Sequence, residues 1–418
     1  MHGELTRRGL LQGATAAVGA LGTGTVMGGT LTGEPVAAAP SAGGAPLSGA
    51  PVIADRAFVA NEATGTVSVI NTGTHEIIST VGLGSDPAVA GTPQPNGPLN
   101  AEADHHKPFY DGHVAPHGLW LTPDAAVLLV SCRISGTVVA VDTVTQRILG
   151  YTPVGREPHL ATVHPDGSHA WVAIRGEDYV EVLRLDRDDL RNPSLKSTRR
   201  MASVALVDTA EGPSMVAFDR TGTTAFVAMG KEPTVQKFCV ATRSLLLEGS
   251  VPAPFTPFGM VTPDGSALYL VHKARGTVSV LSTQTLEPLV PEITVGPRAN
   301  HVESLGSHAY VSVGGPAPDS TSPDPQGKVV VIQVTGHRKV GEVTGPQFTG
   351  EPHAMWAVSD NELYLGHERG NKVSIVNVST PTRPRVVGTV TGSPADLSFL
   401  RQPIDIVAAT GPHTIRAL

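Results

Sequence analysis

The feature that most constrains this chain is a segment that returns seven times at nearly fixed spacing. It opens as APHGLWLTPD, EPHLATVHPDG, GPSMVAFDRTG, TPFGMVTPDGS, ANHVESLGSHA and EPHAMWAVSDN, with a partial copy, SPADLSFL, near the C-terminus. The residues in the equivalent slot are His117, His159, Ser214, Phe258, His301, His353 and Ala395, separated by 42, 55, 44, 43, 52 and 42 positions. The two long intervals hold polar insertions, Arg187 to Ser197 and Pro316 to Gln326. Without them the period lies in the low forties, the length of one four-stranded propeller blade. Each copy runs from an apolar strand through a turn such as Pro-Asp-Gly to a second strand, then to Thr-Val-Ser-Val or a variant and a last strand.

The first copy, Arg56 to Leu83, lacks its opening strand, and the C-terminus supplies a spare one. A ring closed by strands from both termini removes the exposed sheet edges. The expected fold is all-β, a seven-bladed β-propeller over residues 52–410, with Pro403 to Thr410 leaving room for an eighth blade. A long connection, residues 84–115, interrupts the repeat after the first copy, and a loop of that length in a compact protein is commonly functional. The insertions beginning at Arg187 and Pro316 are further surface additions.

Residues 1–42 read as a twin-arginine export signal and flexible start. Thr6-Arg7-Arg8-Gly9-Leu10-Leu11 precedes a mildly apolar run to Met27, then small residues around Val36 to Ala39. That run is too rich in Gly, Ala and Thr for a permanent membrane span. The expected location is extracellular or in the cell envelope. Of two cysteines, Cys132 and Cys239, each falls in a different, non-adjacent repeat, so no disulfide is expected. A net charge of −7 without a basic block excludes a nucleic-acid footprint. No Gly-x-Ser-x-Gly elbow, phosphate loop or dinucleotide fingerprint is present.

The chemistry gathers on histidine. In a propeller the first residues of each inner strand stand at the mouth of the central channel. Four of the seven slots are His117, His159, His301 and His353, on one arc in ring order, with Ser214 and Phe258 on the far side. The connection before His117 adds His105, His106 and His113 and would lie over the same mouth as a lid. An arc of imidazoles suits transition-metal ligation; the plainer reading of each Pro-His is a turn whose ring bonds a backbone carbonyl. Glu157 and Glu351, each preceding Pro-His, are candidates to orient the imidazoles or to act as acid–base groups. Loops between second and third strands bring Arg133, Arg175, Lys231, His272, Lys273, Arg275, His367, Glu368 and Arg369 to the same face, as an anion-attracting rim or as solvated turns. His164, His169 and His308 fall in turns or on second strands and are assigned no role.

VGREPHLATVHPDGSHAWVAIRG and TPDGSALYLVHKARGTVSVLSTQTLEPL resemble the YVTN-type propeller repeat of exported bacterial proteins, over nearly the whole chain after the leader. Asp104-His105-His106, followed by His-bearing blade openings, resembles the propeller half of nitrous oxide reductase, whose channel-mouth histidines hold a multi-copper cluster. The resemblance also touches the haem-d1 propeller of nitrite reductases, without a Cys-x-x-Cys-His haem motif in this sequence. It implies copper at His105, His106, His117, His159, His301 and His353, with His113 beside them. The missing cysteine-rich electron-entry motif implies a simpler copper site and a reaction other than nitrous oxide reduction. The expected function is thus a copper-dependent oxidoreductase acting on a small-molecule substrate. Two other classes stand beside it: a non-catalytic surface propeller that binds a protein partner, and a propeller lactonase or lyase using His, Glu and a divalent cation.

Overall fold

A computed structural model describes residues 55–83, 114–186, 201–316, 326–391 and 403–408. The strands form seven antiparallel sheets of four strands each. The chain is therefore a seven-bladed β-propeller. Blade II comprises β4 (Pro116–Leu121), β5 (Val127–Cys132), β6 (Thr137–Asp142) and β7 (Ile148–Pro153), paired in that order. Blades III to VII follow the same pattern, with first strands β8 (Pro158–Val163), β12 (Pro213–Phe218), β16 (Gly259–Val261), β20 (Ala299–Leu305) and β24 (Pro352–Ser359). These first strands touch one another from blade to blade and so ring the axis. Outer strands such as Leu245–Ser250 face solvent along most of their length.

Blade I closes the ring. Its strands β1 (Arg56–Asn61), β2 (Thr66–Asn71) and β3 (Glu76–Gly82) come from the first copy, and its inner strand β28 (Pro403–Ala408) comes from the C-terminal region and pairs antiparallel with β1. The sequence placed SPADLSFL, with Ala395, at that position. Residues 392–402 lie outside the described residues, and the closing strand is PIDIVA, ten residues further on. Pro403–Ala408 therefore completes blade I and starts no eighth blade among the described residues.

Middle strands are apolar and β-branched along their whole length, such as TVVAVD and KVVVIQ, because adjacent blades cover both faces. The core is a series of inter-blade layers. Trp171 of blade III packs edge-on to Phe218 and Phe238 of blade IV. Trp171 and Phe238, both fully buried, each contribute roughly 2–3 kcal/mol of transfer free energy. Two histidines serve this packing. His75 Nδ1 meets the Tyr364 hydroxyl at 2.7 Å and His337 Nδ1 meets that of Tyr269 at 2.8 Å. Each tyrosine thereby buries its ring without losing a partner for its hydroxyl.

Cys132 and Cys239 are free thiols. Cys132 pairs opposite Pro116 in the sheet, but its thiol is packed in the core and burial pushes it up to about 12. No helix among the described residues is long and apolar enough to cross a membrane. Residues 1–42 and 84–113 lie outside the described residues.

Candidate metal centre at the channel mouth

Five of the inner strands start with the same backbone device. The residue before the first strand residue is left-handed in five blades: Ala115 (φ 51°), Glu157 (φ 52°), Gly212 (φ 70°), Arg298 (φ 60°) and Glu351 (φ 60°). Immediately afterwards the pairing slips. Register shifts fall between Pro116 and Gly118, Pro158 and Leu160, Pro213 and Met215, Ala299 and Val302, and Pro352 and Met355. Among the described slot residues, His117, His159, Ser214, His301 and His353 thus sit in β-bulges, and Phe258 does not. A bulge leaves one residue unpaired in the ladder and re-aims its side chain. The slot that the repeat picks out is therefore a set of bulged positions at the end of the channel. The close approach is visible at Gly118, where a Cβ would stand 2.2 Å from the His159 carbonyl oxygen.

The four histidines meet as two pairs. The rings of His117 and His159 lie 4.4 Å apart between centroids, and those of His301 and His353 lie 5.1 Å apart. Phe258, expected on the far side, is stacked on His301 at 4.3 Å with an interplanar angle of 11°. His117, His301 and His353 are buried; His159 keeps part of its ring open to solvent. The Nδ1 atoms of His159 and His301 are buried with no hydrogen-bond partner among the described residues. Burial, then the neighbouring His117 and the Lys273 charge, holds His301 down at about 3. Burial and then the field of His117, Arg175 and Arg133 hold His159 well below the ordinary imidazole range. Burial also lowers His117, against the opposing pull of Glu62. In all three rings burial favours the neutral form, which presents a lone pair.

Glu62 is the residue that the repeat reading passed over. It stands in the β1–β2 loop, buried, with Oε1 3.3 Å from His117 Nδ1 and 3.1 Å from Arg133. Aligning NEATG with CRISG puts Glu62 in the slot of Arg133, so the first copy of the repeat carried the signal. When its carboxylate accepts from Nδ1–H, Nε2 of His117 carries the lone pair. Glu368 Oε2 approaches His353 Nε2 at 3.9 Å, and burial, then the Glu351 charge, raises Glu368 above the usual carboxylate range.

The two acid–base candidates differ. Glu351 is buried among Lys273 at 3.2 Å, Arg298 and Arg369 at 2.9 Å. Glu157 is exposed, and its backbone carbonyl accepts from the Arg175 amide. The rim is largely compensated: Arg133, Lys231, Lys273, Arg275 and Arg369 all sit in ion pairs, while Arg175 lies over the Phe255 ring at 5.0 Å. His272 and His367 are not on the rim. Both are buried at the end of a second strand, and both bond a serine across the hairpin, Ser279 and Ser374, at 2.8 Å. Loop residues His105, His106 and His113 lie outside the described residues.

Toward the opposite end, the channel holds a cavity of about 290 Å³ lined by Trp120, Phe218, Met260, Glu303 and Trp356 among others. Among the described residues, the group of three or more ligand-type side chains with donor atoms within 4.8 Å of one another is His164, Asp166 and His169, not the mouth.

No family model and no curated protein matches this sequence. Solved structures do resemble it. A hydrazine synthase of Kuenenia stuttgartiensis is 18% identical with a TM-score of 0.55, over 70% of this chain and 84% of that one. A protein of unknown function from Desulfotomaculum acetoxidans is 13% identical with a TM-score of 0.59, over 86% and 100%. The dihydro-haem d1 dehydrogenase NirN is 12% identical with a TM-score of 0.57, over 88% and 77%. At these identities the likeness concerns the propeller fold.

Proposed function

We propose that this protein is an exported propeller that binds a transition metal, copper in the first instance, at the channel mouth and works as an oxidoreductase on a small molecule. The observation that carries the reading is the placement of His117, His159, His301 and His353 at bulged positions as two adjacent pairs of imidazoles. The donor set fits the ion. Imidazoles are the ligands that copper, zinc and iron accept, and the buried, unpartnered Nδ1 atoms of His159 and His301 are costly to keep without an electrophile. Glu62 fixes one imidazole in the tautomer a metal requires, as carboxylates behind metal-bound histidines do. Two imidazoles per pair leave coordination positions that His105, His106 and His113 of the 84–115 connection are proposed to complete.

Bound there, copper would supply one-electron chemistry and an open position for substrate. The chain's part is to hold the rings neutral, to orient them through Glu62 and Glu368, and to keep the rim charges paired. The fold is shared with a hydrazine synthase and with a haem d1 dehydrogenase, so this scaffold is compatible with redox chemistry. The Arg7-Arg8 pattern, read as a twin-arginine leader, fits export of a folded, metal-loaded protein.

The test is metal content. Protein matured in copper-supplemented cells should carry about one equivalent or more of copper per chain, and His117→Ala with His353→Ala should lose it. A wild-type content below roughly a tenth of an equivalent of any transition metal would move the assignment to a non-catalytic binding propeller.

A further inference from the structure

The turn between β8 and β9 (His169–Ile174) of blade III lies at the opposite end of the inner strand from the mouth. Two sister turns show what it is built from. In blades II and V the turn reads Thr-Pro-Asp, and the threonine hydroxyl donates to the aspartate: Thr122 to Asp124 at 2.7 Å and Thr262 to Asp264 at 2.6 Å. Blade III keeps the proline and the aspartate but replaces the threonine with His164. It also replaces the apolar residue that opens the next strand, Val127 or Ala267, with His169. Two imidazoles therefore flank one carboxylate where the repeat otherwise has a hydroxyl and an aliphatic side chain.

Both ring nitrogens of His164 have polar neighbours. Its Nε2 lies 2.9 Å from the Gly222 carbonyl of blade IV, which can only accept, so Nε2 carries a proton. The Asp166 amide N–H points at Nδ1 at 3.3 Å. Yet Asp166 Oδ1 stands 2.7 Å from that same Nδ1. A cation that takes the place of the proton between them would meet both atoms. A backbone carbonyl on Nε2–H orients the ring as carbonyls do behind metal-bound histidines, and leaves Nδ1 as the ligand atom.

The third ligand is in place. His169 stacks on His164 at 4.3 Å with an interplanar angle of 19°, and one donor atom from each of His164, Asp166 and His169 lies within 4.8 Å of the others. The Ser168 hydroxyl meets His169 Nδ1 at 2.8 Å, and Phe218 of blade IV packs edge-on against both rings. Gly222 is required beside them: its φ is +71° and a Cβ there would come within 2.2 Å of His164 Nε2. His164 is buried, His169 half-buried and Asp166 exposed, so the remaining coordination positions open to solvent.

We infer that His164, Asp166 and His169 form a second metal site, distinct from the channel mouth, that takes a zinc-class divalent ion through two imidazoles and one carboxylate. Two nitrogens and one carboxylate oxygen with solvent in the open positions is a donor set such ions accept. The ion bridges blades III and IV through His164 and its Gly222 contact.

The test uses the full chain, stripped with chelator and dialysed against Zn2+, with bound zinc counted by elemental analysis. Asp166→Ala with His169→Ala leaves the buried His164 in place and should hold about one equivalent less zinc than wild type. His117→Ala with His353→Ala should keep that equivalent. Co2+ in place of Zn2+ should give visible absorption that the first variant loses and the second retains. Equal zinc in wild type and Asp166→Ala with His169→Ala, or no zinc in wild type, would overturn the proposal. Loss of the equivalent only in the mouth variant would overturn it equally, and would leave the mouth assignment standing.

Discussion

The Asp405 carboxylate accepts the backbone N–H of Leu119 at 2.8 Å, across 286 positions of the chain. This bond ties the C-terminal strand of blade I to the first strand of blade II, where the ring closes. The other oxygen of Asp405 accepts the Ile406 amide at 2.9 Å. Burial, with a smaller push from Glu303, raises this carboxyl to about 7 against the two amide bonds.

That shift gives the closure a pH dependence. A carboxyl raised in the folded state binds a proton on folding, so its stabilising contribution is full below about pH 4 and is lost as pH rises through 7. Asp405→Asn keeps one acceptor and does not titrate. It should be less stable than wild type by about 1 kcal/mol at pH 5, and the gap should narrow toward pH 8.5. Denaturant unfolding across that range is the measurement. A gap independent of pH would contradict the assignment.

His367 titrates in the opposite sense. Its Nδ1 donates to the Thr349 carbonyl and its Nε2 accepts from Ser374, and burial, then Lys372, lowers it to about 3. A depressed imidazole contributes stability above about pH 6.5 that is lost as pH falls toward 3. His367→Leu strands the Thr349 carbonyl and the Ser374 hydroxyl and should cost about 1–3 kcal/mol at pH 7. At pH 4 the penalty should shrink, because the wild type must then charge a buried ring. Unfolding at the two pH values decides it; a penalty that grows at pH 4 would be inconsistent with a neutral His367.

Glu62 orients His117 from behind. Glu62→Gln should weaken copper binding at the mouth by roughly 10- to 100-fold, the usual effect of losing a carboxylate behind a metal-bound histidine. Glu211→Gln, at the exposed Lys231 pair, should leave it unchanged. Competition titration against a chelator of known affinity measures both. Equal affinities in wild type and Glu62→Gln would mean that the His117–Glu62 contact is only structural.

How much of this the sequence carried can be followed residue by residue. The repeat period and the apolar middle strands gave the seven blades, because every blade must cover its neighbour on both faces. The slot His117, His159, His301 and His353 was legible because a repeated bulge leaves a repeated residue. The closing strand was misplaced: SPADLSFL falls at the repeat spacing, while PIDIVA, which pairs with β1, carries its own Pro-X step ten residues further on. His272 and His367 looked like rim residues because spacing cannot tell a strand's last buried residue from the loop's first exposed one. Glu62 was missed because its copy of the repeat lacks the opening strand used for alignment. His164 and His169 were passed over because their meaning lies in the contrast with Thr122 and Thr262, which appears only when the turns are overlaid with their hydrogen bonds.

The central claim, that the bulged imidazoles are metal ligands, is tested most directly by copper anomalous diffraction from crystals of the copper-matured protein. The account predicts anomalous density at the channel mouth, about 2.0–2.1 Å from nitrogens of the His117–His159 pair, the His301–His353 pair, or both. A map without density at the mouth, or with copper only at the His164 turn, would contradict it.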